Sequence, residues 1–463
     1  MKLYNSLSRE VEEFKPVNSD EVHIYTCGPT VYNFAHIGNL RCYIMEDILV
    51  KTIKYLGYNV KRVMNITDVG HLTDDSEDGE DKMLKGAKRE HKTVQEIAKF
   101  YTDAFMKDFY ALNNDKPDVI EPATNCIGEY IKIITKLLEK GYAYHAGENI
   151  YFDTSKLESY HKFFNFKQED LEIAVRDGVD EDKNKKNQND FVLWFTKSKF
   201  ENQALKWDSP WGVGYPGWHI ECSAIAIKHL GEYVDIHCGG MGNVFPHHTN
   251  EIAQSEAYLG HKWCNFWMHV QHLHLSTGKM SKSKGEFITV DVLKQKGFSP
   301  VEYRFFCLQS HYRNQLLFSY EILENSANAY RKLKAKVLSL KNDGEVNKDA
   351  FNLYKEQFTN CIADDLNTAK SFAIVYDVLK DTKINEATKI ALIEDFDKVL
   401  SLDLLKQEVK ELKISEAEIL AKINERNEAK ANNDYAKADA IRNELLEYGV
   451  KLIDTKEGTK FEI

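Results

Sequence analysis

The period of apolar and polar positions changes along the chain, and the changes mark its parts. EVHIYTC, ending at Cys27, predicts a short strand and GPTVYN a turn. AHIGNLRCYIMEDILVKTIKYL predicts a helix, because Ile44, Ile48, Ile53 and Leu56 recur near helical spacing, and Gly57 can end it. NVKRVMNIT is again strand-like, so residues 22–67 form a strand, helix, strand unit of the kind that builds parallel sheets. From Ile120 to about Trp207 the pattern differs. The helix IGEYIKIITKLLEKG leads to a strand-like NIYFD and then to VRDGVDEDKNKKNQND, which is too polar for a core and is expected to be a solvated loop in an insertion. Strand-like YVDIHCGG, helical NEIAQSEAYLG and MHVQHLHLS, read as one more buried strand, restore α/β character, so the sheet domain is split. After about His311 the chain turns helical, from SYEILENSANAYRKLKAKVLSL to NEATKIALIEDFDKVLSL, and a helical bundle is expected. NDYAKADAIRNELLEYGVKLIDTKEGTKFEI closes it as a capped helix ending before Gly449 and two short strands joined by LysGluGlyThr. The predicted parts are a split α/β domain over 1–119 and 208–310, an insertion over 120–207, a bundle over 311–405, and a small mixed α/β domain over 406–463.

Composition narrows the class. A chain of 463 residues suggests about three domains at roughly 150 residues each. With 43% hydrophobic and 29% charged residues and only 8 Pro beside 24 Gly, collagen-like, linker-like and wholly disordered chains are excluded. The 61 Lys and Arg stand against 72 Asp and Glu, a net charge of −11, which excludes blanket electrostatic coating of nucleic acid and leaves room for one local basic stripe. No apolar run approaches the roughly 18 residues of a membrane span, and MKLYNSLSREVEEF has no apolar signal-peptide core, so a cytoplasmic location without membrane attachment is expected. The eight cysteines, Cys27, Cys42, Cys126, Cys222, Cys238, Cys264, Cys307 and Cys361, are too dispersed for a disulfide framework and are expected to be mostly buried, reduced thiols. Nine of the sixteen histidines fall between His219 and His274.

Two familiar phosphate motifs fail on inspection. Gly212, Gly214 and Gly217 spell G-x-G-x-x-G, but they follow TrpAspSerProTrp instead of an apolar strand and enclose Pro216. No P-loop exists either, since Leu273 stands where the first glycine before GlyLys at 278–279 would be needed. A phosphate site is instead predicted where the first strand gives way to its helix. There His36 and Asn39 can add side-chain donors to the helix N-terminus, and Gly38 permits close approach; the alternative is a polar first turn with a surface histidine. Downstream, Lys279-Met-Ser-Lys282-Ser between Gly278 and Gly285 puts two lysines on a hinged loop able to close on a triphosphate, or else forms an ordinary solvated loop. His247 and Glu251 are four apart at a helix entrance, a spacing that puts both on one face, and Cys27 and Cys222 lie on segments flanking the same cleft. Without a C-x-x-C, spacing alone does not select these two thiols from eight, and a helix start beside buried cysteines is the plain alternative.

HisIleGlyAsn at 36–39, followed some 240 residues later by KMSKS, resembles the two nucleotide-binding motifs of class I aminoacyl-tRNA synthetases. TyrThrCysGlyProThrValTyrAsn, AsnIleThrAsp at 65–68, TrpAspSerProTrpGly, GlyTrpHisIleGluCysSerAla, PheProHisHis, AsnGluIleAlaGlnSerGlu and AlaLysAlaAspAlaIleArg at 436–442 narrow the resemblance to the cysteinyl-tRNA synthetase family. The resemblance implies a Rossmann-like parallel-sheet catalytic domain carrying the KMSKS loop, a connective insertion, a helical bundle and a C-terminal anticodon-binding domain. It implies one zinc ion on Cys27, Cys222, His247 and Glu251, and Mg²⁺ accompanying ATP. His36, Asn39, Lys279 and Lys282 are the implied catalytic residues, with His36, Gly38, Asn39 and Lys282 on ATP and Gly28, Thr67 and Trp218 on the amino acid. The implied substrates are L-cysteine, ATP and tRNA(Cys), and a monomer is expected.

Several positions depart from the family's wording. Gly242 stands where an Asp is common and would meet the substrate ammonium; Thr249 replaces a Glu, Cys238 a Gly and Asn39 a His. Cys238 reads as a stray thiol or an alternative zinc ligand. In the C-terminal part, residues 409–463 hold 10 Lys and Arg against 12 Asp and Glu, so bulk charge gives an RNA role no support. Lys422, Arg426 and Lys430 recur every four residues and form either a basic stripe or a salt-bridged face. Two rival readings are a paralogous cysteine ligase acting on a small-molecule amine, disfavoured by the C-terminal tail, and a non-catalytic RNA-binding protein, disfavoured by the intact phosphate and zinc residues.

Overall fold

The structure is a computed structural model, and it describes residues 1–18, 20–69, 93–157, 160, 184–197, 205–275, 278–279, 287–342, 344–407, 415–448, 450–455 and 458–462. It divides into two compact units, Met1–Leu405 and Lys406–Ile463.

The first unit begins with an antiparallel hairpin, β1 (Lys2–Asn5) and β2 (Glu10–Glu13), which no apolar pattern announces. β3 (Glu21–Thr26), α1 (Ile37–Tyr55) and β4 (Asn59–Ile66) follow where the apolar pattern places a strand, helix, strand unit, and β3 and β4 pair in parallel. Helix α1 is buried nearly all round: Leu40, Ile44, Ile48, Leu49 and Ile53 are fully buried, as are Arg41, Glu46 and Asp47. Such a helix needs internal partners for its charges, and it has them: Asp47 meets Lys51 at 2.8 Å and Arg304 at 2.7 Å, and Arg41 Nη1 donates to Gln271 O at 2.7 Å. α2 (Val94–Ala111), opened by a Thr93/Glu96 capping box, precedes β5 (Val119–Pro122), which joins β4 in parallel.

The expected insertion contains α3 (Ile127–Glu139) and an antiparallel sheet of β6 (Ala143–Ala146), β7 (Asn149–Phe152) and β8 (Phe191–Phe195), whose last strand, β9 (Tyr215–Pro216), pairs with β8 beyond the expected boundary at 207. Only part of the expected polar loop lies among the described residues. Within that part, Asp190 is buried and accepts from Thr154 and from the Tyr144 hydroxyl, so its polarity is spent on the fold. The glycines of the rejected G-x-G-x-x-G serve this sheet: a Cβ at Gly214 would stand 2.1 Å from Phe195 O, and one at Gly217 2.0 Å from Val192 O.

α4 (Trp218–Leu230), β10 (Val234–Gly240) and α5 (Thr249–Leu259) return the chain to the main sheet. The segment expected to be one strand near residue 270 is two, β11 (Cys264–Val270) and β12 (Leu273–Leu275), separated where Gln271 N donates to Tyr312 O and Arg41 binds the Gln271 and His272 carbonyls. The central sheet has five parallel strands in the order β11-β10-β3-β4-β5. β13 (Gly278–Lys279) pairs with β12. α6 (Val290–Gln295), α7 (Pro300–Leu308) and β14 (Leu316–Phe318) lead into helices α8 (Tyr320–Leu338), α9 (Lys348–Ile362), α10 (Thr368–Lys380) and α11 (Glu386–Leu400). One apolar core runs from Leu3 through α1 and α7 to Leu404, so the bundle and the sheet share it. No described helix is long and apolar enough to cross a membrane.

The second unit holds α12 (Glu416–Ala431), α13 (Tyr435–Glu447) and the hairpin β15 (Lys451–Thr455) and β16 (Gly458–Glu462), around Ile419, Ile423, Ile441, Leu445, Val450 and Leu452.

Candidate functional site: a thiol, imidazole and carboxylate cluster beside a cleft

Parallel strands end at a common edge, and side chains from the following loops converge there. β3 ends at Thr26, so Cys27 and Gly28 sit at this edge. A Cβ at Gly28 would stand 1.6 Å from Asn65 O, so only glycine lets the two strand ends approach, and Gly28 N donates to Asn65 Oδ1 at 2.7 Å. The Cys27 Sγ lies 4.0 Å from Cys222 Sγ. α4 supplies Cys222 from its second turn and places Trp218 and Glu221 on the same face, at the i, i+3 and i+4 spacing. His247 precedes α5 and Glu251 lies in its first turn; His247 Nε2 is 3.5 Å from Cys222 Sγ and 3.2 Å from Glu251 Oε1. One ligand atom from each of Cys27, Cys222, His247 and Glu251 falls within 4.8 Å of the others.

A second set, Cys27, His237, His248 and Glu251, meets the same distance test. Its histidines are fully buried and are held as His247 is: His237 Nε2 lies 2.9 Å from Glu251 Oε2, and His248 has Nε2 3.3 Å from Cys27 Sγ with Nδ1 2.7 Å from His269 Nε2. His237 also stacks on Trp267, ring centroids 4.5 Å apart. In the first set, His247 Nδ1 lies 2.8 Å from His219 Nδ1, which turns Nε2 toward Cys222 and Glu251.

The pocket penalises charge that lacks a partner. Burial pushes the Glu251 carboxyl well above the usual carboxylate range, with Cys222 adding to the rise. Its hydrogen bond with Cys222, then burial, raises the Cys27 thiol. Burial holds His237 and His248 well below the ordinary imidazole value and takes His269 down to about 3. Glu251 Oε1 is buried, and its 3.2 Å approach to His247 Nε2 lacks hydrogen-bond geometry. Two thiols, an imidazole and a carboxylate with one orphaned oxygen suit a borderline-soft divalent cation, which would favour the ionised, ligating forms. The cluster is thus compatible with a metal site.

The adjoining cleft has a volume of about 490 Å³ and runs from Cys27 and Gly28 along residues 29–36 to Gly38 and Asn39, with Trp218, Gly242 and His272 on its walls. Trp218 is 42% exposed, unusual for its size, and its ring lies 5.2 Å from that of His247. Trp263 and Trp267 are core residues. Thr67 is buried and fixed to the wall: its N–H donates to Pro29 O, and its carbonyl accepts from Val31 N. At the other end His36 is the N-cap of α1, its Nδ1 accepting from Asn39 N at 3.1 Å, while Asn39 Oδ1 accepts from His36 N at 3.4 Å. Both residues of the expected phosphate site therefore meet at the helix start, in a capping box. Gly38 allows this fold-back, since a Cβ there would touch the His36 ring at 3.0 Å. The backbone of Lys279 pairs with His274 on β12, whereas Lys282 lies outside the described residues.

The departures from the family wording resolve individually. Thr249 Oγ1 donates to Val244 O at 2.8 Å, a local role in shaping the turn before α5. Cys238 is fully buried and belongs to neither ligand set. A Cβ at Gly242 would meet only His272 Cε1, at 3.7 Å, so a side chain fits there. Sequence reading missed Asn65, His219, Glu221, His237, His248 and His269; the crowding of histidines between His219 and His274 was the available signal for four of them.

Comparison with known proteins gives first the class. Residues 13–328 match the family described as tRNA synthetases class I (C) catalytic domain. The fold is shared with methionyl-tRNA synthetase of Mycobacterium tuberculosis solved with methionyl-adenylate, at a TM-score of 0.55 and 15% identity over 83% of this chain and 90% of that one. Among curated proteins, cysteine–tRNA ligase of Treponema denticola is 46% identical over 98% of both chains, and cysteine–tRNA ligase 1 of Burkholderia lata is 40% identical over 99% of this chain and 96% of its own. The chain belongs to the cysteine–tRNA ligase family.

Proposed function

We propose that this protein joins L-cysteine to ATP, releasing diphosphate, and then passes the cysteinyl group from the adenylate to the terminal adenosine of tRNA(Cys). The observation that carries the reading is the thiol, imidazole and carboxylate cluster at one end of a cleft whose other end is the start of α1. Cys27, Cys222, His247 and Glu251 are the proposed zinc ligands in preference to the His237 and His248 set. Cys27, common to both sets, lines the cleft; the first set is favoured because its His247 packs on Trp218 of the cleft wall, whereas His237 and His248 are fully buried. Bound there, zinc supplies a favourable bond to a substrate thiolate that a serine hydroxyl matches poorly.

The chain's own groups perform the rest by positioning and charge stabilisation. Gly28, Thr67 and Trp218 hold the amino acid with its carboxylate toward the α-phosphate. His36 and Asn39 turn from their mutual cap to phosphate oxygens, Gly38 admits the nucleotide to the backbone donors of α1, and Lys279 and Lys282 neutralise charge growing on the leaving diphosphate, with Mg²⁺ accompanying ATP. The carboxylate attacks the α-phosphate, so no protein nucleophile is required. The 406–463 unit is proposed to bind the anticodon, and the protein to work as a monomer in the cytoplasm. Diphosphate exchange measured across a panel of amino acids, followed by transfer to total tRNA, tests this. Exchange with cysteine alone and charging of one tRNA species are expected; exchange without charging would turn the assignment to the small-molecule cysteine ligase.

A further inference from the structure

The eight thiols have unlike surroundings. Cys42 donates to Glu46, Cys126 accepts from Lys228 and Cys264 donates to Phe266 O, while Cys238 and Cys307 are fully buried. Cys27 and Cys222 instead face each other, sulfur to sulfur at 4.0 Å, from the turn after β3 and from helix α4. The two also differ in access. Cys27 is partly exposed and lines the cleft, whereas Cys222 is 2% exposed and is not part of the cleft wall. A small molecule entering the cleft therefore meets the Cys27 sulfur first, with the Cys222 sulfur behind it, which is the order of an attacking and a resolving thiol. Ligation supplies the reactivity, because a coordinated thiol is deprotonated and the thiolate, not the thiol, is the nucleophile.

Resting on the zinc ligation proposed above, we infer that Cys27 and Cys222 form a redox modification site, oxidised by a hydroperoxide that enters the cleft and reduced again by the amino-acid substrate itself. The Cys27 thiolate attacks one oxygen of hydrogen peroxide; the O–O bond breaks, the Cys27 sulfur becomes a sulfenic acid, and the other oxygen leaves as hydroxide and takes up a proton. The Cys222 thiolate then attacks the Cys27 sulfur, forming the S–S bond and expelling a second hydroxide, which also takes up a proton. The sulfurs lose two electrons, and the peroxide gains them to end as two waters. Disulfide sulfurs are poor metal ligands, so His247 and Glu251 alone remain to hold the ion, and it dissociates.

The return path uses the same difference in access. The thiolate of one L-cysteine attacks the Cys27 sulfur, the one reachable from the cleft, and releases the Cys222 thiolate. A second L-cysteine attacks the sulfur of the first, releasing the Cys27 thiolate and leaving as cystine. The site thus reopens where the free thiol substrate is plentiful and stays closed where that substrate is itself oxidised.

The test treats the full-length, zinc-loaded protein with hydrogen peroxide and follows zinc release with a chromogenic chelator, beside non-reducing peptide mapping, ATP binding and cysteine-dependent diphosphate exchange. Zinc release should keep pace with a cross-link between Cys27 and Cys222, roughly tenfold or more faster than oxidation of Cys361, the partly exposed thiol of α9. ATP binding should change less than about twofold, since the residues proposed to hold ATP are untouched. After the peroxide is removed, L-cysteine with added zinc should dissolve the cross-link and restore both metal content and exchange, and L-serine with zinc should do neither. Zinc release with Cys27 and Cys222 recovered as separate sulfinic acids, oxidation of the pair no faster than that of Cys361, or a cross-link that L-cysteine leaves intact overturns the inference. A protein that takes up no zinc at all would instead overturn the ligand assignment on which it rests.

Discussion

Cys222 is the residue at which metal binding and amino-acid choice can be separated experimentally. Its Sγ lies between Cys27 Sγ and His247 Nε2, and exchanging sulfur for oxygen keeps the shape while replacing a soft ligand by a poor one. Cys222→Ser is expected to lower zinc content and to impair cysteine activation more than ATP binding. Serine differs from cysteine by one atom, too little for shape to police, so a metal-read thiol is expected to give a preference of roughly 10⁴ or more, about 5.5 kcal/mol. Metal content measured beside cysteine and serine activation in one preparation checks this; unchanged discrimination after verified zinc removal would sink it. Gly242 supports a second test. Space for a side chain exists beside His272, and an added carboxylate would give the ammonium a direct partner, worth ~1.5–3 kcal/mol where none competes. Gly242→Asp should lower the KM for cysteine. A raised KM would mean that residue 242 stands away from the amino group.

At the scale of elements, the pairing of α1 with β4 sets a pH dependence. Glu46 on α1 is fully buried against Arg62 of β4, and Cys42 Sγ donates to its other oxygen at 3.4 Å. Burial outweighs Arg62 and pushes the carboxyl up from 4.5 to about 7. The folded chain therefore holds a proton that the unfolded chain releases near pH 4.5, and stability falls as pH rises from about 4.5 to about 7, by on the order of 3 kcal/mol from this group. Glu46→Gln should flatten that part of the profile, measured by urea unfolding at pH 5 and 7.5; parallel profiles for the two proteins would refute it. The same pair shows what the amino-acid sequence conveys. The spacing of Ile44, Ile48 and Ile53 announces α1 because burial of one face has a period, while nothing local announces that Glu46 is inside, since its partner Arg62 comes from another element, and the i, i+4 pair of Asp47 with Lys51 reads as a surface pair although Arg304 buries it. The short strands β6, β8 and β9 were illegible for a related reason: two to five residues carry too little period. The four clustered ligands were legible as residue types in familiar words, whereas the hydrogen bonds that join Asn65, Thr67 and Glu221 exist only in three dimensions.

Across the whole molecule, the acidic balance leaves recognition of an RNA to particular surfaces, and the C-terminal stripe is not one of them in its present pairing. Lys422 meets Glu444 at 2.7 Å, Lys430 meets Asp454 at 2.7 Å, and Arg426, nearly fully buried, makes two 2.9 Å bonds to Asp454. Of the two readings open for those residues, the salt-bridged face is the one observed. Any anticodon contact by this unit must then use other groups or exchange those pairs, which are individually weak where exposed. The two units nevertheless have separate cores: the last buried residues of the first are Leu402 and Leu404, with Leu405 packed against them, and the second begins its own at Ile419. A chain ending after Leu405 keeps the first core whole, whereas a cut a few residues earlier would open a cavity against α8, where Tyr330 donates to Leu402 O at 2.7 Å. The shortened chain is expected to retain cysteine-dependent diphosphate exchange, because every proposed zinc, ATP and amino-acid residue precedes the cut, and to lose most tRNA charging through a raised KM for tRNA. Circular dichroism and zinc content establish that it has folded, and exchange and charging are then compared in one preparation. Equal loss of both activities in a folded, zinc-loaded product would remove the separate RNA-binding role from residues 406–463.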